Sequence, residues 1–263
     1  VGRCPVRTLR IGLGLPWYDG ADKDCVGAFL VFQHFLGRLQ ERLWWDARAS
    51  HLSPESPTPP PIPPLDPAQP DLDISWLDGT DLQFVICDAI GYSLPGTARE
   101  RCIDLALAYQ CDYILFYDAD MIFTADVFLK LLKHELPVVS ALAFTARTPI
   151  TPVIYKFTPN ADGSFQSDPI LNYKRDALQK VDAVGFGVIL MQASVFRKVP
   201  KPWFSSPGVG EDIQFAAFCK RAGVDIYVDT AAKTVHKPRY APEWHDEEMF
   251  LRDRAKDIEE AGK

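Results

Sequence analysis

Residues Tyr113-Ile-Leu-Phe-Tyr117 form an apolar run that ends in Asp118-Ala119-Asp120. A run this apolar fits a strand buried on both faces of a mostly parallel sheet, and such sheets hold ligands beyond the carboxyl ends of their strands. The two carboxylates therefore stand at the mouth of a site. Acids this close repel each other and resist desolvation, so a divalent cation is the simplest partner to neutralise them. Asp-x-Asp triplets are common in turns. The buried strand behind this one points to function, because a solvated turn needs no such strand.

With 263 residues, 47% of them hydrophobic, the chain can build one large core, so a single α/β domain over 1–240 is expected. The charged stretch 241–263 reads as a surface helix or tail. A net charge of -7 gives no overall pull toward nucleic acid or anionic membrane. The cysteines form no Cys-x-x-Cys pair and lie in or beside apolar runs, which fits reduced core thiols in a cytoplasmic protein. No stretch approaches the ~18 apolar residues of a membrane span, and no apolar signal-peptide core opens the chain.

Periodicity places a first strand at 7–15, stopped by Pro16, and a helix over about 26–45. Residues 52–70 hold nine of the 22 prolines, too many for a helix or central strand, so they read as an exposed, partly polyproline insertion. A strand follows at 82–87, then a loop from Asp88 to Gly96. Thr97-Ala-Arg-Glu100 matches a capping box that opens a helix leading into the acidic strand. Beyond it come a short helix near 126–134 and a strand around 137–144. An irregular stretch, 146–180, is followed by a strand over 181–191 that contains Gly185-Phe186-Gly187. A helix from Glu211 to Ala222, closed by Gly223, precedes a strand at 224–228.

Four features carry candidate chemistry. The capping box puts Arg99 and Arg101 in the first turn of a helix, where the macrodipole disfavours positive charge, so something anionic must compensate. An ion pair with Asp88, Asp104 or Asp112 would suffice, as would the acidic pair or a bound phosphate. Glu211 and Asp212 open a helix after the Gly208-Val-Gly210 loop. Acids there suit the dipole, but one can also reach into a cleft as a general base. His236 lies just past a strand beside Lys237 and Arg239, which offers an imidazole ligand and phosphate-neutralising cations from one segment. Gly12-Leu-Gly14 is no dinucleotide fingerprint, since the third glycine is missing and Pro16 interrupts the strand-to-helix turn.

In order and spacing, these pieces resemble a nucleotide-sugar-dependent glycosyltransferase of the GT-A fold, closest to the family-2 type. The resemblance rests on Ala98-Arg-Glu-Arg101, Tyr113 to Met121, Val184-Gly-Phe-Gly187, Pro202-Trp-Phe204, Gly210-Glu-Asp212-Ile-Gln-Phe215, Ile226 to Thr230 and His236, and it spans roughly 8–237. It implies one domain with a central, mostly parallel, Rossmann-like sheet flanked by helices and a small additional sheet near the acceptor side. It further implies that Asp120, with His236 and Asp118, holds Mn²⁺ or Mg²⁺, that Asp118 contacts the ribose or a metal-bound water, and that Ala119 belongs to the donor-binding set. Pro16, Tyr18, Asp19 and Asp88 would hold the nucleotide base and ribose, with Arg99 also in the donor-binding set and Lys237 and Arg239 on the diphosphate. Asp212, beside Glu211, is the implied base, and Gly185, Phe186, Gly187, Trp203 and Phe204 would line the sugar or acceptor pocket. An aromatic core pair is the alternative for Trp203 and Phe204. Glu100, where relatives often carry Asn, and the proline-rich insertion depart from the pattern.

The implied reaction is inverting transfer of a sugar from a nucleoside-diphosphate sugar to an acceptor hydroxyl. The acceptor can be a glycan, a lipid-linked sugar, a protein or a modified nucleobase. Two other readings stay open: a haloacid-dehalogenase-like phosphatase with Asp118 as nucleophile, and a nucleotide-sugar-binding module without turnover. Ile122 speaks against the phosphatase, since it stands where a hydroxyl donor is usual. The binding module has little physical use for so many acids.

Overall fold

The computed structural model describes residues 7–17, 32–43, 72–90, 94–124, 126–146, 149–161, 164–204, 210–236 and 254. The insertion at 52–70, Tyr18, Asp19, Lys237, Arg239 and the tail apart from Arg254 lie outside them, so the expectations placed on those residues find no counterpart there.

In chain order the elements are β1 (Arg7–Trp17), α1 (32–43), β2 (Thr80–Ile90), α2 (Pro95–Ala108), β3 (Tyr113–Tyr117), β4 (Met121–Phe123), α3 (Asp126–Lys133) and β5 (Val138–Leu142). They continue with β6 (Ile154–Pro159), β7 (Phe165–Pro169), β8 (Leu178–Val181), β9 (Ala183–Val184), β10 (Val188–Gln192), α4 (Val195–Lys198), α5 (Glu211–Arg221) and β11 (Ile226–His236). The main sheet runs β2-β1-β3-β10-β5-β11-β4, with β8 added on β11; β7-β6-β9 form a small second sheet. β1 lies parallel to β2 and β3, and β5 parallel to β11, whereas β10 runs antiparallel to both β3 and β5. The result is a mixed sheet flanked by helices, which bears out the expected α/β class, with β10, β4 and β8 antiparallel to their neighbours.

The two-faced burial of β3 is direct. Ile114 and Phe116 point into one apolar cluster, while Tyr113, Leu115 and Tyr117 point into the other. Ala98, Cys102, Ile103 and Ala106 of α2 cover the first face together with Ile213, Phe215 and Ala216 of α5. The second face is covered by Phe32, Phe35, Leu36 and Leu39 of α1 and by Val127, Phe128, Leu131 and Leu132 of α3. A period-two strand packed between two period-3.6 helical faces gives a three-layer α/β/α stack. α5 ends where expected: Gly223 has φ +67°, and the amides of Gly223 and Val224 donate to the carbonyls of Lys220 and Cys219, a Schellman closure.

Several boundaries differ from the sequence reading, each for a physical reason. β1 continues through Pro16 to Trp17. Its pairing with β3 stops at Gly14, so from there on the strand has only β2 beside it and the missing amide of Pro16 costs no bond on the β3 side. β2 likewise runs on through Asp88 to Ile90 instead of turning into a loop. The Thr97–Glu100 capping box does not form. α2 starts with Pro95 at its first position and Leu94 as the cap, without a side-chain cap bond. Arg99 consequently lies beyond the first turn. The stretch 146–180 holds β6, β7 and part of β8. Finally, 181–191 is broken at Gly185-Phe186-Gly187, where the chain leaves the small sheet at β9 and enters the main sheet at β10.

Candidate functional site

Three elements converge beyond the carboxyl end of β3: the Asp118–Asp120 turn, the end of β11 and the first turn of α5. The turn is fixed from both sides. The amide of Asp118 donates to the Gly187 carbonyl at 2.9 Å, and that of Met121 to the Asp118 carbonyl at 3.0 Å. Gly187 is small for a reason, since a Cβ there would come within 3.0 Å of Met121 Cε.

The placement of His236 follows from a kink in β11. Its first half pairs with β5, then the register shifts between Asp229 and Lys233, and the last three residues pair with β4 so that His236 faces Met121. Asp229 accepts the Ala231 amide within the irregular stretch, and Thr230 Oγ1 donates toward the Lys174 and Ala177 carbonyls. A bulge of this kind re-aims a strand's last side chains. Here it brings His236 Nε2 to 2.9 Å from Asp120 Oδ2, while Nδ1 lies 3.1 Å from the Phe144 carbonyl. Burial opposes charge on the imidazole, but the bond to Asp120, that carboxylate's field and the Phe144 carbonyl outweigh it and raise the pKa to about 9.

Arg99 ties the site together. It is 4% exposed, and its guanidinium donates to Asp118 Oδ1 at 2.8 Å and to Glu211 Oε1 at 2.5 Å while lying 4.9 Å from the centroid of the Phe186 ring. Because Arg99 lies beyond the first turn of α2, the helix dipole does not decide its partners; burial does, and its charge is met by Asp118 and Glu211 and not by Asp88, Asp104 or Asp112. Asp104 is held by Lys201, and Asp112 accepts the Arg10 amide. Burial pushes the Asp118 carboxyl up, against the pull of Arg99 and with a further push from Asp120.

Asp212 stands next to this bridge. Its Oδ1 accepts the Ile213 amide at 2.8 Å, and its Oδ2 lies on the Gly185 side. Burial raises its pKa most, with Glu211 adding to the rise and Arg99 and the Ile213 amide opposing it. At Gly185 a Cβ would come within 2.6 Å of Val153 Cγ1, so the β9–β10 break approaches β6 too closely for a side chain.

The sequence-predicted residues therefore divide. Arg99, Asp118, Ala119, Asp120, Gly185, Phe186, Gly187, Glu211, Asp212 and His236 fall in one neighbourhood. Asp88 is exposed near the end of β2, and Pro16 sits in the adjoining register of β1, on the same edge of the sheet. Trp203 and Phe204 are buried at 3% and 8% exposure. Trp203 packs edge-on against Phe196, and Phe204 stacks on Phe215 and meets the edge of Phe186. Of the two readings of this pair, the aromatic core is the one the packing gives.

Two features escaped the sequence reading. Glu100 Oε1 accepts the amides of Trp203 and Phe204 at 2.8 and 3.2 Å, which gives this acid a structural role in place of the capping box. Tyr155 of β6 lies near Asp212, its phenol pushed up first by burial and then by that carboxylate. The sequence carries no signal for either contact, since Glu100 also fits a capping box and the stretch 146–180 that holds β6 has no clear period.

Among the described residues, no three His, Cys, Asp or Glu side chains cluster closely enough to hold a metal on protein ligands alone. Nor is any described helix long and apolar enough to cross a membrane. No protein-family profile matches the chain, and no curated protein matches it. Among solved structures, A197 from STIV is 15% identical with a TM-score of 0.46, covering 88% of this chain and 85% of its own. GalNAc-T7, solved with UDP, GalNAc and Mn²⁺, is 11% identical with a TM-score of 0.41, covering 62% of this chain and 33% of its own. Likenesses this distant carry no argument about chemistry, which rests on the side chains themselves.

Proposed function

We propose that the chain is a metal-dependent glycosyltransferase of GT-A type that moves a sugar from a nucleoside-diphosphate sugar to an acceptor hydroxyl with inversion. The observation that carries this reading is the pairing of Asp120 with His236 beside a bridge, Asp118–Arg99–Glu211, that leads to Asp212.

The donor set fits a hard divalent cation that keeps substrate oxygens and water in its shell. Asp120 and His236 would be its two protein ligands, and Mg²⁺- or Mn²⁺-type sites commonly use one or two carboxylates plus phosphate oxygens. The Phe144 carbonyl next to Nδ1 is the partner that fixes the imidazole with Nε2 turned to a ligand. A cation bound there would supply positive charge for the departing nucleoside diphosphate.

The remaining work falls to the chain's own groups. Burial makes Asp212 a stronger base than an ordinary carboxylate, and with Oδ1 occupied by the Ile213 amide, Oδ2 takes the proton from the acceptor hydroxyl. Arg99 keeps Glu211 from competing for that proton and fixes the first turn of α5 relative to β3. Asp118, its Oδ1 engaged by Arg99, offers its remaining valence to the ribose side.

A thermal-shift screen of nucleotide sugars with and without Mn²⁺ tests the reading, because a bound donor stabilises by mass action. One donor is expected to raise Tm only with metal, and Asp120→Asn to abolish that rise. Asp212→Asn should lower turnover by about 10²–10⁴-fold with donor binding intact. Absence of any metal-dependent donor overturns the assignment. Full turnover in Asp212→Asn, or a product that keeps the donor's anomeric configuration, overturns the inverting mechanism.

A further inference from the structure

A groove of about 710 Å³ lies between α5 and the small sheet. Its floor is aromatic, with the rings of Phe157 and Phe165 4.2 Å apart at 33° and Phe165 37% exposed. Gln166 and Gln214 stand among its lining residues, with Lys220 and Arg221 at the end of α5.

The groove has two unlike ends. At one, Ile213 and Gln214 follow directly on Asp212, and Tyr155 lies two positions before Phe157 on the same face of β6. At ~1.5 Å of rise per residue, Arg221 lies roughly 13 Å further along α5, the span of a short oligosaccharide. Lys220 is engaged there: its Nζ is 2.7 Å from Asp182, which also accepts the Phe157 amide, so the pair fastens α5 to the groove floor. Arg221 rests on the Phe218 ring at 4.8 Å, is exposed, and forms no ion pair among the described residues.

We infer that this groove is the acceptor subsite and takes a short oligosaccharide whose end remote from the reacting hydroxyl carries an anionic group, a uronate carboxylate or a phosphate. The inference rests on the glycosyltransferase reading. Sugar rings present apolar faces that cover exposed aromatic rings, and the amides of Gln166 and Gln214 suit ring hydroxyls. An anion at the far end meets the planar fork of Arg221, which binds carboxylate or phosphate in two-pronged fashion. Turned the other way, the same anion would lie at the acidic start of α5, next to Glu211 and Asp212, instead of at its basic end, so charge sets which hydroxyl is presented to the base.

An array of neutral, uronate-bearing and phosphorylated oligosaccharides, probed with the full chain, tests this. Binding is expected within the anionic sets, and whichever set is retained identifies carboxylate or phosphate. Arg221→Gln should weaken it at least tenfold, Arg221→Lys should restore part of it, and Phe165→Ala should weaken every bound glycan. Both positions are exposed, and an unchanged Tm verifies that the variants fold. Equal binding of neutral glycans, no glycan bound, or undiminished binding by Arg221→Gln overturns the inference. Mn²⁺-dependent hydrolysis of a nucleotide sugar by the wild-type protein is read separately: its absence counts against the transferase reading, whereas the array reports on the groove alone.

Discussion

The guanidinium of Arg99 lies 2.5 Å from Glu211, joining the second turn of α2 to the first turn of α5 across the end of the central strand. Its other nitrogen reaches Asp118 at 2.8 Å, so one buried cation sets the separation between the acidic turn and the candidate base. Arg99 is thus the tie between α2, the end of β3 and α5. Removing the charge leaves two carboxylates facing each other with partial burial. Arg99→Met is expected to cost roughly 2–4 kcal/mol, below the ~3–5 of a fully buried pair because both acids keep some solvent. Arg99→Lys should recover little, since an ammonium cannot span both partners. Urea unfolding measures both. A cost unchanged when Glu211→Gln is added would show that the pair is not coupled.

Glu100 is expected to matter for stability alone. Its Oε1 holds the Trp203 and Phe204 amides, in a segment whose aromatic side chains are core. Glu100→Ala leaves two donors without this acceptor and should cost about 1–3 kcal/mol, whereas Glu100→Gln keeps a side-chain oxygen and should cost less. Denaturant midpoints of the two variants provide the comparison, and equal losses would mean that the hydrogen bonds contribute nothing beyond the charge.

The His236–Asp120 pair predicts a pH dependence with a definite sign. With a folded-state pKa of about 9 against 6.5 unfolded, the folded state holds an extra proton between those values. The stabilisation is therefore complete below the unfolded value and disappears as pH rises through the folded one. Asp120 is more than half exposed, so solvent screening leaves on the order of 1 kcal/mol. The stability difference between wild type and Asp120→Asn should shrink between about pH 6.5 and 9.5 in metal-free buffer. A difference that stays flat over that range contradicts the pair.

How far the sequence foretold this depends on whether local pattern or distant pairing decides an element. β3 was legible because every side chain is apolar, and the two faces it serves are the two halves of the core. α5 was legible from its glycine-bounded periodicity. β7 and β8 were not. Phe165-Gln-Ser-Asp-Pro169 and Leu178-Gln-Lys-Val181 carry no strong alternation, and each is a strand because β6 or β11 offers it an edge. The same holds at the site. The residue types at Asp120, His236 and Glu211 marked them as candidates. That His236 reaches Asp120 depends on the shifted register of β11, and that Arg99 chooses Glu211 over nearer acids depends on α5 docking against α2's face of the sheet.

Gly185 gives the most local test of how that docking serves the proposed base. A methyl group there would stand 2.6 Å from Val153 Cγ1 and 3.9 Å from Asp212 Oδ2. Val153 is anchored, since its amide donates to the Ala143 carbonyl and its own carbonyl accepts the Gly185 amide, each at 2.9 Å. The strain must therefore be relieved by shifting the β9–β10 break or β6. Gly185→Ala is expected to cost about 1–3 kcal/mol as an overpacked site. At Gly187 the nearest atoms are the flexible end of Met121, at 3.0 and 3.2 Å, so Gly187→Ala should cost less. If Asp212 works from Oδ2, Gly185→Ala should also lower kcat more than it raises the KM for the donor, because it moves the wall beside the base and not the Asp120–His236 pair. Steady-state kinetics with varied donor separates the two effects, and a change confined to donor KM would contradict this placement of the base.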